Sequence, residues 1–290
     1  MENKEPTYKL KGQFICFNGE FIRKSELNIS LNNRAFKYGD GVFETIRVIK
    51  KEPLFYIEHI KRLSLALELL KIDFSIDFLK TELKQNIVRL LNANKFFSGA
   101  RIRITVFRGG EGLYTPTNNK MEYLIEASEL ENEYYTLNKR GLNIGIYNEV
   151  KITYSEFSNF KTINSLPYIL AGIFKKQNRF DDCILVNNSN NLIEGISSNL
   201  FILKNNILYT TGAQSGCIEG IMKNIVIDIA LSKSMTVFDE ALLTEEDLLT
   251  ADEIFMTNVI SGVQWVLSYK KKRYYNKFSR VLISELNKLV

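Results

Sequence analysis

The chain has 290 residues, 45% of them hydrophobic and 24% charged, which is typical of a soluble globular protein and allows two modest cores. Its net charge is +5, and because the basic residues are spread along the chain, this excess predicts an anionic small molecule as partner and no nucleic acid. No apolar run approaches the roughly 20 residues that span a bilayer, so no membrane partner is expected.

The scarcity of histidine and cysteine excludes several kinds of site. His59 is the only histidine, which argues against a histidine-bearing zinc site and against a hydrolase with a histidine base. Cys16, Cys183 and Cys217 are far apart and lack metal-ligand spacing, so we expect reduced thiols and no metal. The polar start, Met1 to Pro6, lacks the apolar core of an export signal, and together these features predict a cytoplasmic protein.

The first half of the chain predicts a sheet of hairpins with two helices packed on it. Strands are predicted over 14–17, 42–49, 101–108 and 121–127, and helices from Tyr56 to about Leu70 and over 77–91. The strand over 101–108 breaks into the glycine-rich run Gly109-Gly110-Glu111-Gly112, which predicts a flexible loop able to close over a ligand.

The acidic, polar segment that starts at Ser128 is the best candidate for a linker between two domains. We therefore predict an N-terminal domain over 1–127, a linker over 128–137 and a C-terminal domain over 138–290.

The second half mixes helices and strands more evenly. Strands are predicted over 143–147, 183–187 and 253–256 and around Leu192, Leu200 and Leu208, and helices over 166–178, 220–232 and 279–289 and from Thr244. The strands around Leu200 and Leu208 are joined by an Asn205-Asn206 turn, and Thr244 to Asp247 satisfies a capping box with Asp in the last place.

Two residues of the second half carry the chemistry. Lys161 is a lone lysine in the run Phe160 to Asn164, and Glu194 begins a stretch of small and hydroxylated residues at the start of a strand. A lysine that forms an imine and a carboxylate that keeps a pyridine nitrogen protonated are the groups that pyridoxal phosphate chemistry most needs. The pair predicts a cofactor site.

An ordered set of motifs resembles the fold-type IV (class IV) pyridoxal-phosphate enzymes, which include branched-chain aminotransferases, D-amino-acid aminotransferases and aminodeoxychorismate lyases. The motifs that carry the resemblance are, in family order, Asn33 to Glu44, His59 to Leu63, Lys161 to Asn164, Glu194 to Phe201, Gly220-Ile221 and Ala251 to Phe255. The resemblance implies an α+β, two-domain D-amino-acid aminotransferase-like fold, with an N-terminal α+β sandwich and a C-terminal pseudobarrel. It also implies pyridoxal 5'-phosphate in the cleft and a homodimer.

By this resemblance Lys161 is the catalytic, imine-forming lysine and Glu194 pairs with the pyridine nitrogen. The remaining cofactor-binding residues that it implies are Arg62, Ser198, Asn199, Ile221, Met222, Thr257 and Asn258. Arg62 suits a phosphate because a guanidinium binds two oxygens at once, and Ile221 and Met222 begin a helix whose free amides attract anions. Many relatives carry a threonine where Met222 stands, so only its amide can serve. Asp40 and Glu44 are expected to be structural, and His59 to be a packed residue.

On the substrate side the resemblance indicates Tyr38 and two arginines. Arg103 aligns with an arginine of branched-chain enzymes, whereas Arg108 resembles the arginine before the loop in D-amino-acid and lyase members. Strand alternation places the two on opposite faces, and the neighbouring glycines favour Arg108 as the ligand of the substrate carboxylate.

The subclass stays open. Leu166 stands where branched-chain enzymes often carry a tyrosine, and the loop from Arg108 to Pro116 resembles that of the lyases. We predict an aminotransferase that moves an amino group between an amino acid (branched-chain or D-amino acid) and a 2-oxo acid. The alternative is an aminodeoxychorismate lyase, which releases pyruvate and 4-aminobenzoate, and a more remote one is a non-catalytic cofactor-binding protein.

Overall fold

A computed structural model of the protein describes residues 12–290. The polar start, Met1 to Pro6, lies outside the described residues. The first structural unit is a six-stranded antiparallel sheet in the order β2-β1-β6-β5-β3-β4. Its strands are β1 (Phe14–Phe17), β2 (Glu20–Arg23), β3 (Gly41–Ile49), β4 (Glu52–Pro53), β5 (Gly99–Arg108) and β6 (Met121–Leu130). Its helices are α1 (Arg34–Tyr38), α2 (Tyr56–Leu69), α3 (Ile76–Lys80) and α4 (Glu82–Asn94), with a 3-10 turn at Lys24–Glu26.

The helices bury one face of this sheet. Leu63 and Leu67 of α2 and Ile87 of α4 pack in one apolar cluster with Ile46 of β3 and Ile104 of β5, and all five side chains are at most 1% exposed. Burial of this size contributes about 1.5 to 3 kcal/mol for each large side chain. The outcome is a rigid platform from which β3 and β5 present their remaining side chains to the second unit.

Two local predictions for this unit were wrong. The single helix expected over 77–91 is two helices, because the backbone at Thr81 (φ −112°, ψ −69°) departs from helical geometry. The segment before β3 contains the short helix α1, which was not predicted. Asn33 caps its start by accepting from the Phe36 N–H, and Gly39 ends it with φ +63°. The Asn18-Gly19 hairpin is confirmed.

The second unit is a nine-stranded sheet that closes on itself. Its strands are β7 (Leu142–Ile152), β8 (Asp182–Asn187), β9 (Leu192–Gly195), β10 (Asn199–Lys204), β11 (Ile207–Thr210), β12 (Thr236–Phe238), β13 (Glu253–Asn258), β14 (Gly262–Tyr269) and β15 (Lys272–Arg273). The chain of pairings β10-β13-β14-β7-β8-β9 is closed because β9 also pairs with β10. The pseudobarrel and the α+β two-domain fold are therefore confirmed.

Four helices and one 3-10 turn flank the barrel. They are α5 (Leu166–Gln177), α6 (Ile221–Ser232), α7 (Glu245–Thr250), α8 (Lys277–Leu286) and the turn at Ala213–Ser215. The predicted capping box at the start of α7 forms, with the Thr244 N–H donating to Asp247 over 2.8 Å. Strand β14 was not predicted, although Val263 to Tyr269 is a β-branched and aromatic run between Gly262 and a lysine turn.

The two units are joined through 131–141 and held together by Arg47. Strand β6 runs to Leu130, three residues into the linker predicted over 128–137, and the domain limits themselves stay a prediction. The Arg47 guanidinium, on β3, donates to the carbonyls of Asn132, Glu133, Tyr134 and Ile260. It thus bonds to both the connecting segment and the barrel. Within residues 12–290 no helix is long and apolar enough to cross a membrane.

Candidate active site

Lys161 lies at the seam between the two units. Its carbonyl accepts from the Phe43 N–H (2.8 Å), and the Ile163 N–H donates to Gly41 (3.1 Å), so this segment follows the beginning of β3. On the other side, the Asn159 amide donates to the carbonyls of Ala213 and Cys217 in the barrel unit. Backbone contacts with both units therefore fix the position of the lysine.

The Lys161 amine lies in an environment that disfavours its charge. Its Nζ is 5.3 Å from the centre of the Phe43 ring. Burial lowers the pKa of the amine, and Arg62 lowers it further, while Glu44 and Glu194 act in the opposite direction. A larger fraction of this lysine is therefore neutral at physiological pH than of an exposed lysine, which is the condition for a nucleophile or a base.

Glu194 lies near the end of β9 and is 3% exposed. One carboxylate oxygen accepts from the Tyr168 hydroxyl at 2.7 Å, both accept from the Ile218 N–H at 3.2 Å, and the other accepts weakly from the Asn199 amide at 3.4 Å. Burial raises its pKa, and the Tyr168 hydrogen bond and the Lys161 charge oppose that rise. Lys161 and Glu194 influence each other's pKa, so the fold brings the two residues together.

Arg62 presents a partly free guanidinium next to the start of α6. Its Nε and one Nη bind the two oxygens of Glu44 at 2.7 Å each, and the other Nη donates to the Glu219 carbonyl at 2.8 Å. A guanidinium has five N–H donors, so two remain for a ligand. His59 is fully buried and bonds Glu44 over 2.7 Å, which confirms that His59 is packed and that Glu44 is structural.

The first turn of α6 and Thr257 complete an anion site. Gly220 precedes the helix without a side-chain cap, so the amides of Ile221 and Met222 lack intrahelical partners. Thr257 pairs with Asn199 across β13 and β10, and Asn199 contacts Gly220 so closely that a Cβ there would lie 1.8 Å from the amide oxygen. The buried Thr257 hydroxyl has no hydrogen-bond partner within the described residues, which points to a missing ligand.

These groups fit a phosphorylated pyridine aldehyde. The anion site offers two guanidinium N–H groups, two helix amides and an unpaired hydroxyl, which suits a phosphate. A buried amine and a buried carboxylate nearby suit an aldehyde and a ring nitrogen.

Ser198 and Asn258 use their side chains within the protein. The Ser198 hydroxyl donates to the buried Asp182 over 3.3 Å, and the Asn258 side chain accepts from the amides of Ile260 and Ser261. Both residues therefore stabilise turns beside the site, and these contacts give no support to direct binding through the side chains.

The two arginines of β5 have different environments. All five N–H donors of Arg108 are occupied, by Asp40, Asn119 and the carbonyls of Leu70 and Lys71. The Arg103 guanidinium makes no hydrogen bond to any residue within 12–290, and it lies 3.8 Å from the centre of the same Phe43 ring that Lys161 contacts. The contacts thus favour Arg103 as the carboxylate ligand, contrary to the preference drawn from the sequence.

Tyr38 contacts the glycine-rich loop. Its ring stacks under Arg34 (5.0 Å) and beside Tyr114 (5.7 Å). Arg34 in turn donates to the carbonyl of Leu113 over 2.6 Å, which attaches the loop to α1. The aromatic pair and the arginine therefore form one wall next to the segment before β3.

Tyr168 is the residue of the site that sequence reasoning missed. It lies in the first turn of α5, and its ring packs against the apolar cluster that contains Ala171, Ile193 and Cys217. Its position seven residues after Lys161 was the only available signal, and such a spacing does not indicate a contact with a strand 26 residues further on.

Comparisons with known proteins identify the family. The model of the amino-transferase class IV family matches residues 41–269. A putative branched-chain-amino-acid aminotransferase of Methanocaldococcus jannaschii is 29% identical, over 91% of this chain and 90% of that protein. D-alanine aminotransferase of Bacillus licheniformis is 26% identical (86% of each chain), and aminodeoxychorismate lyase of Bacillus subtilis is 28% identical (85% and 83%).

Solved structures agree on the fold. The branched-chain aminotransferase of Thermoproteus uzoniensis with norvaline has a TM-score of 0.83 at 19% identity, over 95% of this chain and 93% of that one. A second branched-chain amino acid aminotransferase, from the organism abbreviated T.th. and with pyridoxamine 5'-phosphate, also has a TM-score of 0.83, at 24% identity (96% and 94%). Both are fold-type IV enzymes, and class IV aminotransferases use pyridoxal phosphate. The chain therefore belongs to the class IV aminotransferase family of enzymes.

Proposed function

We propose that this chain binds pyridoxal 5'-phosphate at the seam between its two units and acts as an aminotransferase. The observation that carries the proposal is the buried Lys161–Glu194 pair beside an anion site with an unpaired hydroxyl, Thr257. Arg62 and the first amides of α6 supply the other donors for a phosphate. A bound cofactor of this type acts as an electron sink for the α-carbon of an amino acid.

The chain's own residues divide the work. Burial lowers the pKa of the Lys161 amine, which allows its Nζ to accept a proton from the substrate's α-carbon and to return it. Glu194 provides a fixed negative charge for the proton of a ring nitrogen. Arg62 is held by Glu44 in one orientation, so a phosphate meets a donor that is already positioned.

The free guanidinium of Arg103 supports an amino acid as substrate, because it lies by the same aromatic ring as the lysine and has unused donors for a carboxylate. The relative that favours a branched-chain amino donor is 29% identical over nine tenths of both chains. The lyase alternative is supported by a 28% identical relative, and both reactions use the same proton transfer at Lys161. We therefore place the aminotransferase first and keep the lyase as a second candidate.

The test begins with the purified protein and added pyridoxal phosphate. We expect a visible absorption band that the Lys161→Ala variant lacks, while Lys176→Ala, which changes an exposed lysine on α5, keeps it. The loaded protein is then offered branched-chain L-amino acids, D-alanine and aminodeoxychorismate separately, each amino acid with a 2-oxo acid.

Each product pattern identifies one function. A keto acid formed from an amino acid supports the aminotransferase and its donor class, whereas an aromatic amine released with pyruvate supports the lyase. A visible band without turnover of any substrate would favour a non-catalytic cofactor-binding protein. A colourless protein at saturating cofactor would overturn the proposal. The homodimer and the cytoplasmic location expected from the sequence stay predictions.

A further inference from the structure

Glu194 is held by a tyrosine whose contact follows from neither the motifs nor the family match. The Tyr168 hydroxyl donates to one carboxylate oxygen of Glu194 at 2.7 Å, which is the shortest contact that Glu194 makes. The other oxygen has only the long contacts from Ile218 and Asn199, at 3.2 and 3.4 Å. One oxygen is thus firmly held and the other is available.

The groups around Glu194 make its charge state a delicate balance. The carboxylate is buried, and burial favours the neutral acid. Lys161 and Lys223 favour the carboxylate, as do the Tyr168 hydroxyl and the Ile218 amide. The remaining titratable neighbour is the Cys217 thiol, which burial keeps protonated. Neither lysine forms a direct ion pair with Glu194 within the described residues, so the hydroxyl is its closest stabilising partner.

Tyr168 is suited to act as a permanent donor. Burial, and next the charge of Glu194, raise the pKa of the phenol, so it stays protonated at every pH where the protein is folded. Its ring packs against the apolar cluster around Ala171 and Cys217, which limits its freedom to turn away.

We propose that Tyr168 is a positioning residue that keeps Glu194 ionised and fixes one of its oxygens, which leaves the second oxygen for the ring nitrogen of the cofactor. The inference deepens the proposed function and rests on it. A neutral Glu194 would donate its own proton to the ring nitrogen instead of accepting one. Without Tyr168 the proton shared by the two groups therefore moves from the ring toward the carboxylate.

The first experiment uses the full chain without cofactor and compares wild type, Tyr168→Phe and the control Tyr275→Phe, whose ring is 76% exposed. The lost hydroxyl stabilises the carboxylate more than the neutral acid, so the variant should lose more stability at pH 8 than at pH 5. A difference of about one pKa unit, or tenfold in the unfolding constant, lowers the melting temperature by about 2 °C more at pH 8.

A double-mutant cycle separates this role from simple packing. In the Glu194→Gln background the Tyr168→Phe change should cost the same at both pH values, because no ionisable partner remains. If Tyr168→Phe does not fold, 3-fluorotyrosine at position 168 is a stronger donor and should change the pH dependence in the opposite direction. Equal losses at pH 5 and pH 8 with Glu194 present would overturn the inference.

The second experiment uses protein loaded with pyridoxal phosphate labelled with ¹⁵N in the ring. We expect Tyr168→Phe to keep the visible band while the ring-nitrogen resonance moves toward the unprotonated position, with the ratio of protonated to unprotonated ring falling about tenfold. An unchanged resonance would overturn the inference. A wild-type protein that binds no cofactor would instead overturn the proposed function, and the melting experiments would still measure the Tyr168–Glu194 bond.

Discussion

Replacing Glu44 by glutamine should destabilise the protein strongly at neutral pH and much less in acid. Glu44 is buried and makes three side-chain contacts of 2.7 Å, two with Arg62 and one with His59. Burial alone would raise its pKa, but Arg62 and His59 outweigh burial and hold the pKa at about 2, against a usual 4.5. That difference, at 1.36 kcal/mol per pH unit, corresponds to roughly 3 kcal/mol of stability at pH 7.

The sign follows from the lowered pKa. The contribution is complete above pH 4.5, where the unfolded chain is also ionised, and it is lost as the pH falls toward 2. Urea unfolding of wild type and Glu44→Gln at pH 7 and pH 3 should therefore give a difference that falls by roughly half in acid.

The control is Glu52→Gln, which removes the exposed partner of Lys84 and should cost less than about 1 kcal/mol. A Glu44→Gln loss no larger than that of the control at pH 7 would refute the reasoning. So would a loss that is the same at pH 3 as at pH 7, since this would mean that the charge of Glu44 plays no part.

Three further predictions concern the site and the seam. Thr257→Val should raise the melting temperature of the cofactor-free protein by a few degrees, because a buried unpaired hydroxyl is removed, and should weaken pyridoxal phosphate binding about tenfold in a fluorescence titration; weaker cofactor binding without added stability would contradict it. Arg103→Met should raise KM for the amino acid about tenfold or more at unchanged cofactor affinity, whereas Arg108→Met should chiefly lower the melting temperature; the reverse pattern in steady-state kinetics would restore Arg108 as the carboxylate ligand. Arg47→Ala should cost about 3 kcal/mol or more in urea unfolding, since four carbonyls lose their donor, and a loss within about 0.5 kcal/mol would show that the seam is held by other contacts.

The sequence predicted most regular elements, because their signals are local. The Asn205-Asn206 turn is an example: both residues have positive φ, as a tight hairpin requires, and the flanking strands β10 and β11 pair as expected. The capping box at Thr244 is another. The break at Thr81 was not predictable, since apolar spacing continues through it, from Leu79 to Leu83, without a proline or glycine.

The site was predictable only where motifs carried it. Lys161, Glu194 and Arg62 stand in ordered blocks, and the fold brings them to one seam. The choice between Arg103 and Arg108 depended on which donors other segments occupy, and the carbonyls of Leu70 and Lys71 come from the end of a helix more than 35 residues away. Tyr168 is similar, because its partner Glu194 is defined only once α5 packs on the barrel.

The backbone of Lys161 is bonded to the first sheet through Phe43 and Gly41, whereas Glu194 is built into the closed barrel. A hinge motion that parted the two units would therefore carry the amine away with one and leave the acid in the other. Reactivity is thereby tied to the relative placement of two separately folded bodies, and the Arg47 contacts, which oppose such a motion, act as mechanical insurance for chemistry that takes place at some distance from them.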